Sequence, residues 1–298
     1  MPKKPNFFIA GAAKCGTTSL FRYIEMHPDV FMSRVKEPHY FCSHHFPERF
    51  VGPGDQGFND NTMRTFEAYQ ALFDPVEDQK IIGEASVYYL NFLDVAQKIY
   101  DFNPSSKVII ILRNPIERAF SAYMHTVRDN RETLSFEKAL QAEPERKKNN
   151  YQPLWWYREI GVYAEQVKRY VDVFGAHQVK IFLYEDLKRA DVVVQDMLNF
   201  LDLSTDYRID TTIRHNVSGN PKSRALYNFF AKPNAVKEVI KPFLPRDFRK
   251  KLGQRAKNMT LAREKPAAKT VQELKNYFRE DIINLQDVVH RDLSSWLL

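Results

Sequence analysis

Residues 7–20 combine the residue types that hold a phosphate group. An apolar run leads into a turn that is framed by two glycines, contains one lysine and is followed by two threonines. These positions are Gly11, Ala12, Ala13, Lys14, Cys15, Gly16, Thr17 and Thr18. The backbone N–H groups of such a turn, and of a helix that follows it, point together at one anion, and the lysine and hydroxyl groups add charge and hydrogen bonds. The alternative is a plain glycine turn between a strand and a helix.

The position of the lysine distinguishes this loop from those that bind nucleoside triphosphates. Gly11 and Gly16 keep the G-x-x-x-x-G spacing, but Thr17 stands where such a loop carries its lysine. Lys14 lies inside the loop instead. Because Thr17 and Thr18 are helix-capping residue types, we expect the helix to begin with them as caps. The segment therefore predicts a phosphate cradle without the usual ATP chemistry.

A second candidate anion site follows the apolar run 107–112. Arg113 ends that run, and Pro115 suits the first turn of a helix. Ser121 lies two turns into this helix, on the same side as Glu117. An arginine at a strand end with a nearby hydroxyl can hold a second phosphate through charge-assisted hydrogen bonds. Alternatively, Arg113 pairs with a local carboxylate and Ser121 is an ordinary helix-surface residue.

Strand and helix patterns alternate along the first two thirds of the chain. The predicted strands are 6–10, 80–84, 107–112 and 178–184. The predicted helices are 17–27, 65–73, 92–101, 115–129, 157–174 and 190–201, with a loop over 43–62. This order predicts an α/β fold, with a mostly parallel sheet flanked by helices. Ligands of such sheets bind beyond the carboxyl ends of the strands, so we expect Gly11, Glu84 and Arg113 to share one cleft.

Together, the two anion-binding segments resemble the sulfotransferases that use 3′-phosphoadenosine 5′-phosphosulfate (PAPS). The first has the form G-x-x-K-x-G-T-T, and the second, over 113–123, has the form R-N-P-x-x-R-x-x-S-x-Y. The resemblance implies a P-loop-type three-layer fold. It also implies that the first loop holds the 5′-phosphosulfate, that Lys14 stabilises the leaving group, and that Arg113 and Ser121 hold the 3′-phosphate. PAPS is then the sulfuryl donor, and 3′-phosphoadenosine 5′-phosphate (PAP) is the product.

A later basic loop, 215–224, resembles the segment that closes over the nucleotide in the same family. A glycine there permits close approach of the backbone, and basic side chains supply charge. The nucleotide-binding residues implied are Ser218, Gly219, Lys222 and Arg224. An exposed polar loop before a helix is the alternative.

The segment 36–41, Lys-Glu-Pro-His-Tyr-Phe, resembles the K-E-x-x-F-F segment of the glycan-directed sulfotransferases, in which the glutamate is the base. The resemblance implies that Glu37 accepts the acceptor's proton, with His39 as the second candidate. The Lys-Ser-His triplet that carries the base of many cytosolic members does not occur in this sequence. Alternatively, Glu37 is structural and pairs with Lys36 or Arg34.

Four further residues are candidate acceptor contacts: Glu84, Ser86, Trp155 and Trp156. The glycan-directed enzymes commonly place a lysine after the glutamate of this motif, whereas Ala85 follows Glu84 here, so any role of that lysine is absent. The tryptophan rings could stack on a sugar or line an acyl pocket. The alternative for the aromatic cluster is a place in the core.

The composition of the chain limits its domain organisation and the classes of ligand that it can bind. A chain of 298 residues with 44% hydrophobic residues supports a large core, and we expect one domain, 1–298, whose segment 235–298 is a helical, basic extension. The net charge of +7 suits an anionic ligand. Basic residues concentrate in 241–269, as a solvated face or as a surface for an anionic acceptor or a membrane. The scarcity of aromatic residues there argues against nucleic acid.

Location and metal content also follow as expectations. The chain has two cysteines, no apolar run long enough to cross a membrane, and a first strand that leaves no room for a signal peptide, which together predict a cytoplasmic protein. No cluster of His, Cys and Asp has metal-ligand spacing in the sequence, so no metal is expected.

We therefore predict a sulfotransferase that moves a sulfuryl group from PAPS to a hydroxyl, less favourably an amine, of a carbohydrate, lipid or other small acceptor. Two other classes stay open. A P-loop kinase that uses ATP would need a Mg²⁺ carboxylate, and segment 181–186 offers one at the end of a predicted strand. A non-catalytic nucleotide- or anion-binding module would need neither Lys14 nor Glu37.

Overall fold

The computed structural model describes residues 3–211, 220–221, 261–262 and 265–298. Its main sheet has five parallel strands in the order β2-β3-β1-β4-β5. Their bounds are β1 Phe7–Gly11, β2 Val30–Met32, β3 Ile81–Ala85, β4 Lys107–Leu112 and β5 Val179–Leu183. A short antiparallel pair consists of β6 Asn220–Pro221 and β7 Leu261–Ala262. The predicted α/β fold class is thereby confirmed.

Helices surround this sheet. Their bounds are α1 Thr17–Ile24, α2 Gln56–Asn61, α3 Phe66–Gln70, α4 Val95–Phe102, α5 Pro115–Arg128, α6 Phe136–Gln141, α7 Glu143–Lys148, α8 Ala164–Phe174, α9 Ala190–Phe200 and α10 Ala268–Val289. Short 3₁₀ segments include Tyr40–His45, Tyr89–Asn91, Pro153–Trp155, Glu159–Gly161, Tyr184–Arg189 and Ser294–Trp296. Within the described ranges, none of these helices has both the length and the apolar character that a membrane span requires.

The central strands are apolar along their whole length because both faces of the sheet are covered. Every residue of β1 is buried, and β4 is buried from its second residue onward. Phe7 of β1 lies opposite Gly83 of β3. A Cβ atom on Gly83 would come within 2.7 Å of the Phe7 ring and 2.6 Å of Met32 Sδ, so the glycine permits this tight packing. The core thus holds the carboxyl ends of β1, β3 and β4 close together.

The structure differs from the predicted elements mainly at their edges. Each of the four predicted strands is present with ends shifted by no more than one residue, whereas the three-residue edge strand β2 was missed. The predicted helix 157–174 begins only at Ala164, because 3₁₀ turns occupy the residues before it. The predicted loop 43–62 contains α2. Short elements carry too few periodic residues to be predicted by pattern alone.

The C-terminal helix α10 packs against α8 and α5 through its buried residues. The side chain of Asp281 in α10 also binds the start of α8. Its Oδ2 accepts a hydrogen bond from Tyr163 N at 2.7 Å, and its Oδ1 accepts one from Ala164 N at 2.9 Å. These backbone groups lie at the start of α8, where helix N–H groups have no partner within the helix. A side chain far along the chain therefore caps α8.

Replacing Asp281 by alanine is expected to destabilise the protein by about 1–2 kcal/mol, because the two N–H groups at the start of α8 lose their acceptor. The free energy of unfolding in urea would measure this effect. Asp287→Ala, an exposed aspartate on the same helix, is the matched control and should change stability little. Equal losses in the two variants would show that the cap contributes nothing.

Candidate active site

The loop after β1 is shaped by two glycines that side chains could not replace. Gly16 has φ +102°, and a Cβ atom there would lie 2.7 Å from Leu187 Cδ1. A Cβ atom on Gly11 would lie 2.8 Å from Leu90 Cβ. Ala12 N donates a hydrogen bond to Ile111 O of β4 at 2.8 Å. The loop is therefore held against the end of the sheet.

The cap of α1 differs from the prediction. Gly16 occupies the N-cap position in the left-handed conformation, and Thr17 is the first helical residue, so neither threonine caps the helix. Ser19 N already donates to Gly16 O at 2.9 Å. Within the described part of the chain, the amides of Thr17 and Thr18 have no hydrogen-bond acceptor. These two N–H groups point out of the helix N-terminus over the loop, where an anion would accept them.

Lys14 lies at the centre of the charged groups around this loop. Burial lowers the pKa of its ammonium to about 8, and the nearby Arg128 lowers it further, while Glu37 and Asp129 oppose the shift. Its backbone is left-handed, with φ +69°. An anion placed in the loop would restore the solvation that burial removes from this ammonium. Lys14 and Glu37 are therefore close enough for their charges to interact.

The backbone of Glu37 is hydrogen-bonded to the last residue of β3. Its N–H donates to Ala85 O at 2.9 Å, and its backbone has φ +66°. The side chain is 31% exposed and forms an ion pair with Lys36. Burial alone would raise the pKa of Glu37, but Lys36 and His39 hold it well below the usual range. The pairing with Lys36 that the alternative proposed is therefore present, and the carboxylate is ionised at neutral pH.

His39 is a buried neighbour of this carboxylate. Its ring is stacked on Phe58 at a centroid distance of 4.8 Å and is 1% exposed. Its Nε2 lies 3.7 Å from Glu37 Oε2, beyond direct hydrogen-bond distance. Burial lowers the pKa of His39, although Glu37 raises it, so the ring is neutral at pH 7. This position favours Glu37 over His39 as the base.

Glu84 and Ser86 belong to the core beneath the site. Glu84 is fully buried, and its carboxylate accepts hydrogen bonds from Tyr69 (3.0 Å), Tyr89 (2.7 Å) and Ser86 (2.8 Å). Burial raises the pKa of Glu84 to about 7, although these hydrogen bonds act to lower it. Ser86 Oγ also accepts a hydrogen bond from His39 N at 3.0 Å. The two residues position the Glu37–His39 segment, and the predicted acceptor contact finds no support in this geometry.

Trp155 and Trp156 are likewise core residues, as the alternative held. Trp155 is fully buried, and its Nε1 donates to Asp55 Oδ1 at 3.2 Å. Trp156 is 8% exposed, and its Nε1 donates to Tyr151 O at 3.1 Å. The prediction that these rings stack on an acceptor is therefore corrected: both rings are buried, and both indole N–H groups already have acceptors within the protein.

Arg113 directly follows the last residue of β4, but its guanidinium is already paired. Nε and Nη2 donate to Glu117 Oε2 at 3.0 and 2.8 Å, and the guanidinium lies 4.4 Å from the centroid of the Tyr184 ring. Ser121 is buried on α5, the helix that begins beside Arg113. A phosphate at this position would compete with Glu117 for the guanidinium.

Arg118 of the same segment is fully buried behind the cradle. It donates to the Tyr157 carbonyl, whereas its Nε and Nη1 have no partner among the described residues. Its positive charge reaches Cys15 in the loop, where it opposes the burial that raises the pKa of that thiol to about 11. This guanidinium adds positive potential to the side of the loop away from solvent.

Three residues at the C-terminal end of α5 were not predicted. Arg128 donates from Nη2 to His125 Nδ1 at 2.7 Å and from Nε to Asp129 Oδ1 at 2.9 Å. Burial, Lys14 and Arg128 lower the pKa of His125 to about 3, so its ring is neutral. Helical spacing could have revealed His125 and Arg128, because they recur with Ser121 along one side of α5.

One grouping of metal-ligating side chains is present in the described ranges: His44, His45 and Asp94. The sequence did not indicate it because Asp94 is distant from the two histidines along the chain. None of these residues belongs to the loop or to the Glu37–His39 segment, so this grouping is separate from the groups around Lys14.

Several predictions lie outside the described residues. They concern the nucleotide-binding positions Ser218, Gly219, Lys222 and Arg224 and most of the basic stretch 241–269. These assignments, the single-domain boundary and the cytoplasmic location stay predictions.

Comparison with known proteins gives consistent matches. The family model described as sulfotransferase domain matches residues 4–274. A crystal structure of a sulfotransferase from Alicyclobacillus acidocaldarius is 42% identical, covers 99% of both chains and superposes with a TM-score of 0.79. The membrane-associated sulfotransferase kil1 of Dictyostelium discoideum is 33% identical over 41% of this chain and 23% of that protein. Mouse carbohydrate sulfotransferase 15 is 26% identical over 67% of this chain and 44% of that protein. The chain thus spans less than half the length of these two curated relatives.

Proposed function

The chain belongs to the sulfotransferase domain family, and on that premise we propose that it transfers a sulfuryl group from PAPS to an acceptor hydroxyl. The observation that carries the proposal is the electrostatic coupling of Glu37 to Lys14, whose pKa the carboxylate raises against the effect of burial. Glu37 can remove a proton from the acceptor, and Lys14 can neutralise charge on the leaving phosphate. In-line transfer needs both on opposite sides of the reacting sulfur.

The donor site is proposed along the ends of β1 and β4. The 5′-phosphosulfate binds the amides of Thr17 and Thr18 and the ammonium of Lys14, which a helix N-terminus and a buried cation favour. The 3′-phosphate binds Arg113 and Ser121. Arg113 stacks on Tyr184, which fixes the guanidinium plane at the strand end.

In the transfer step, the acceptor oxygen forms a bond to sulfur while the bond between sulfur and the phosphate oxygen breaks. Glu37 takes the hydroxyl proton, and Lys14 stabilises the negative charge left on the phosphate of PAP. The low pKa of Glu37 keeps its carboxylate ionised before the reaction. The proton it accepts must then pass to solvent, to which the side chain is partly exposed.

A hydroxyl on a carbohydrate, lipid or other small molecule is the proposed acceptor, and an amine is less favoured. A carboxylate base suits a hydroxyl, whose proton must leave as the oxygen attacks. The relatives include enzymes named as carbohydrate and heparan sulfate glucosamine 3-O-sulfotransferases. The residues that contact the acceptor are then others than the buried Glu84, Trp155 and Trp156.

The geometry disfavours the kinase alternative. The carboxylates after β5 already have partners: Asp186 accepts from Leu183 N of β5 at 2.8 Å and pairs with Arg291 of the C-terminal segment at 3.0 Å. Glu185 Oε1 accepts from Trp296 Nε1 at 3.0 Å. A Mg²⁺ ion would have to displace these partners. These pairs support a structural role for Asp186 and Glu185.

Calorimetric titration tests the proposed donor. PAP, ADP and ATP are titrated separately into the protein in the presence of EDTA, and ATP is also titrated with Mg²⁺. Tight binding of PAP with weak binding of ATP supports the proposal and justifies a screen of hydroxyl acceptors with PAPS. Preferential binding of Mg-ATP would contradict it.

Arg113→Ala is expected to weaken PAP binding by about 10–100-fold, because hydrogen bonds from a cation to the 3′-phosphate are lost. Binding of 5′-AMP, which lacks that phosphate, should be unchanged. Glu117→Gln is the matched control: it removes the carboxylate that competes for Arg113, so PAP affinity should be kept or increased. Equal losses of PAP and 5′-AMP in Arg113→Ala would overturn the assignment of Arg113.

A further inference from the structure

His44, His45 and Asp94 converge on the surface next to the base segment. The two histidines end the 3₁₀ segment that follows Glu37 and His39, and Asp94 precedes α4. His44 Nε2 lies 2.8 Å from Asp94 Oδ2, and His45 Nε2 lies 2.6 Å from Asp94 Oδ1. One ligand atom from each residue lies within 4.8 Å of the others.

The three side chains are held in place by neighbours and remain accessible. The His45 ring is stacked on Phe92 at 4.6 Å with an interplanar angle of 11°, and it lies 4.1 Å from the His44 ring. Asp94 occupies the N-cap position of α4 without using its side chain as a cap. The exposed fraction of these side chains is 34–41%, so an ion from solvent can reach all three.

A cation already lies among them. Lys98 Nζ is 2.9 Å from Asp94 Oδ2 and 2.7 Å from His44 Nε2. Lys98 Nζ also lies 3.3 Å from His44 Nδ1. With a proton on Nε2, His44 donates to Asp94, but two donors then face each other at 2.7 Å between His44 and Lys98; without that proton, two acceptors face each other at 2.8 Å between His44 and Asp94. A metal ion in place of the ammonium would bind the nitrogen and the oxygen together.

We propose that His44, His45 and Asp94 bind a divalent transition-metal ion of the Zn²⁺ type, which displaces Lys98. Two imidazole nitrogens and one carboxylate oxygen are a donor set that Zn²⁺, Co²⁺ and Ni²⁺ accept, with a further position left for water. Ca²⁺ and Mg²⁺ prefer oxygen ligands and more of them, so they are not expected here.

The site would connect two elements that are distant along the chain. His44 and His45 lie on the chain that leads from Glu37, whereas Asp94 lies at the start of α4, which packs beside that segment. A ligand that binds the folded state but not the unfolded chain raises stability. Bound metal would therefore stabilise the protein and fix the segment that carries the proposed base.

The test uses tag-free, full-length protein that has been stripped with EDTA and desalted. Zn²⁺ or Co²⁺ is titrated calorimetrically, and the thermal midpoint is followed with and without each ion. The wild type should bind one equivalent and gain stability. Asp94→Asn should weaken binding at least about tenfold. Mg²⁺ should have no comparable effect.

Two further variants separate this site from adventitious binding. Lys98→Met should bind Zn²⁺ more tightly than the wild type, because it removes the competing ammonium. His177→Ala, which removes an exposed histidine elsewhere, should bind as the wild type does. The proposal is overturned if Asp94→Asn binds Zn²⁺ as the wild type does, if Lys98→Met binds more weakly, or if His177→Ala abolishes binding.

Discussion

Replacing Lys14 by methionine is expected to lower kcat for sulfuryl transfer by about 10²–10³-fold, because the leaving phosphate loses the cation that neutralises it in the transition state. Release of PAP from PAPS would be measured with the hydroxyl acceptor that gives the highest wild-type turnover. PAP binding should fall much less than kcat, since the loop amides and Arg113 remain. A variant with normal kcat and reduced PAP affinity would show that Lys14 only binds the nucleotide.

The pKa of Lys14 adds a pH signature to the same prediction. Burial places this pKa at about 8, so the ammonium is charged below that pH and neutral above it. The value of kcat/KM for PAPS, which reports the free enzyme, should therefore fall above about pH 8. Bound phosphates favour the charged form, so the corresponding fall in kcat should lie at higher pH.

Lys14→Arg is the control for this pH dependence. Arginine keeps its charge across the accessible range, so the alkaline fall in kcat/KM should disappear even if the longer side chain reduces the rate. An alkaline fall that persists unchanged in Lys14→Arg would assign the titration to another group.

Glu37→Gln is expected to lower kcat by about 10²–10⁴-fold, the usual contribution of a general base. The amide keeps the shape of the side chain but cannot take the proton of the acceptor. Lys36 and His39 hold the pKa of Glu37 well below its usual range. As the pH falls from 7 into the range where carboxylates ordinarily titrate, Glu37 should therefore stay ionised. The wild type should lose no activity there through protonation of this residue. The same PAP-release assay over a range of pH would measure both effects.

Two variants decide between the candidate bases. His39→Phe keeps a ring stacked on Phe58, so it should retain most of kcat if Glu37 is the base. Lys36→Met removes a positive charge from Glu37 and should move the acidic fall in kcat/KM to higher pH, because the carboxylate then loses a group that favours its ionised form. A large loss in His39→Phe combined with normal activity in Glu37→Gln would assign the base to His39.

Much of the framework of the site could be predicted because it depends on local sequence. The run before Gly11 and the run before Arg113 are continuous and apolar, and both form central parallel strands. The spacing of Gly11 and Gly16 predicts the loop, since glycine favours a left-handed backbone and permits a close backbone approach. The cap of α1 was predicted wrongly because a left-handed Gly16 occupies the N-cap position, which leaves the threonine side chains without that role.

What the sequence by itself determined is therefore the order of strands and helices, the phosphate-binding loop and the types of residue that surround it. Only the tertiary structure decided the partners of the polar side chains. It placed Glu84 and Trp155 in the core, brought Arg128 to Lys14, and joined His44 to Asp94. The physical reason is that backbone periodicity reflects neighbours a few residues apart, whereas the charge and burial of a side chain depend on residues that meet it only after the chain has folded.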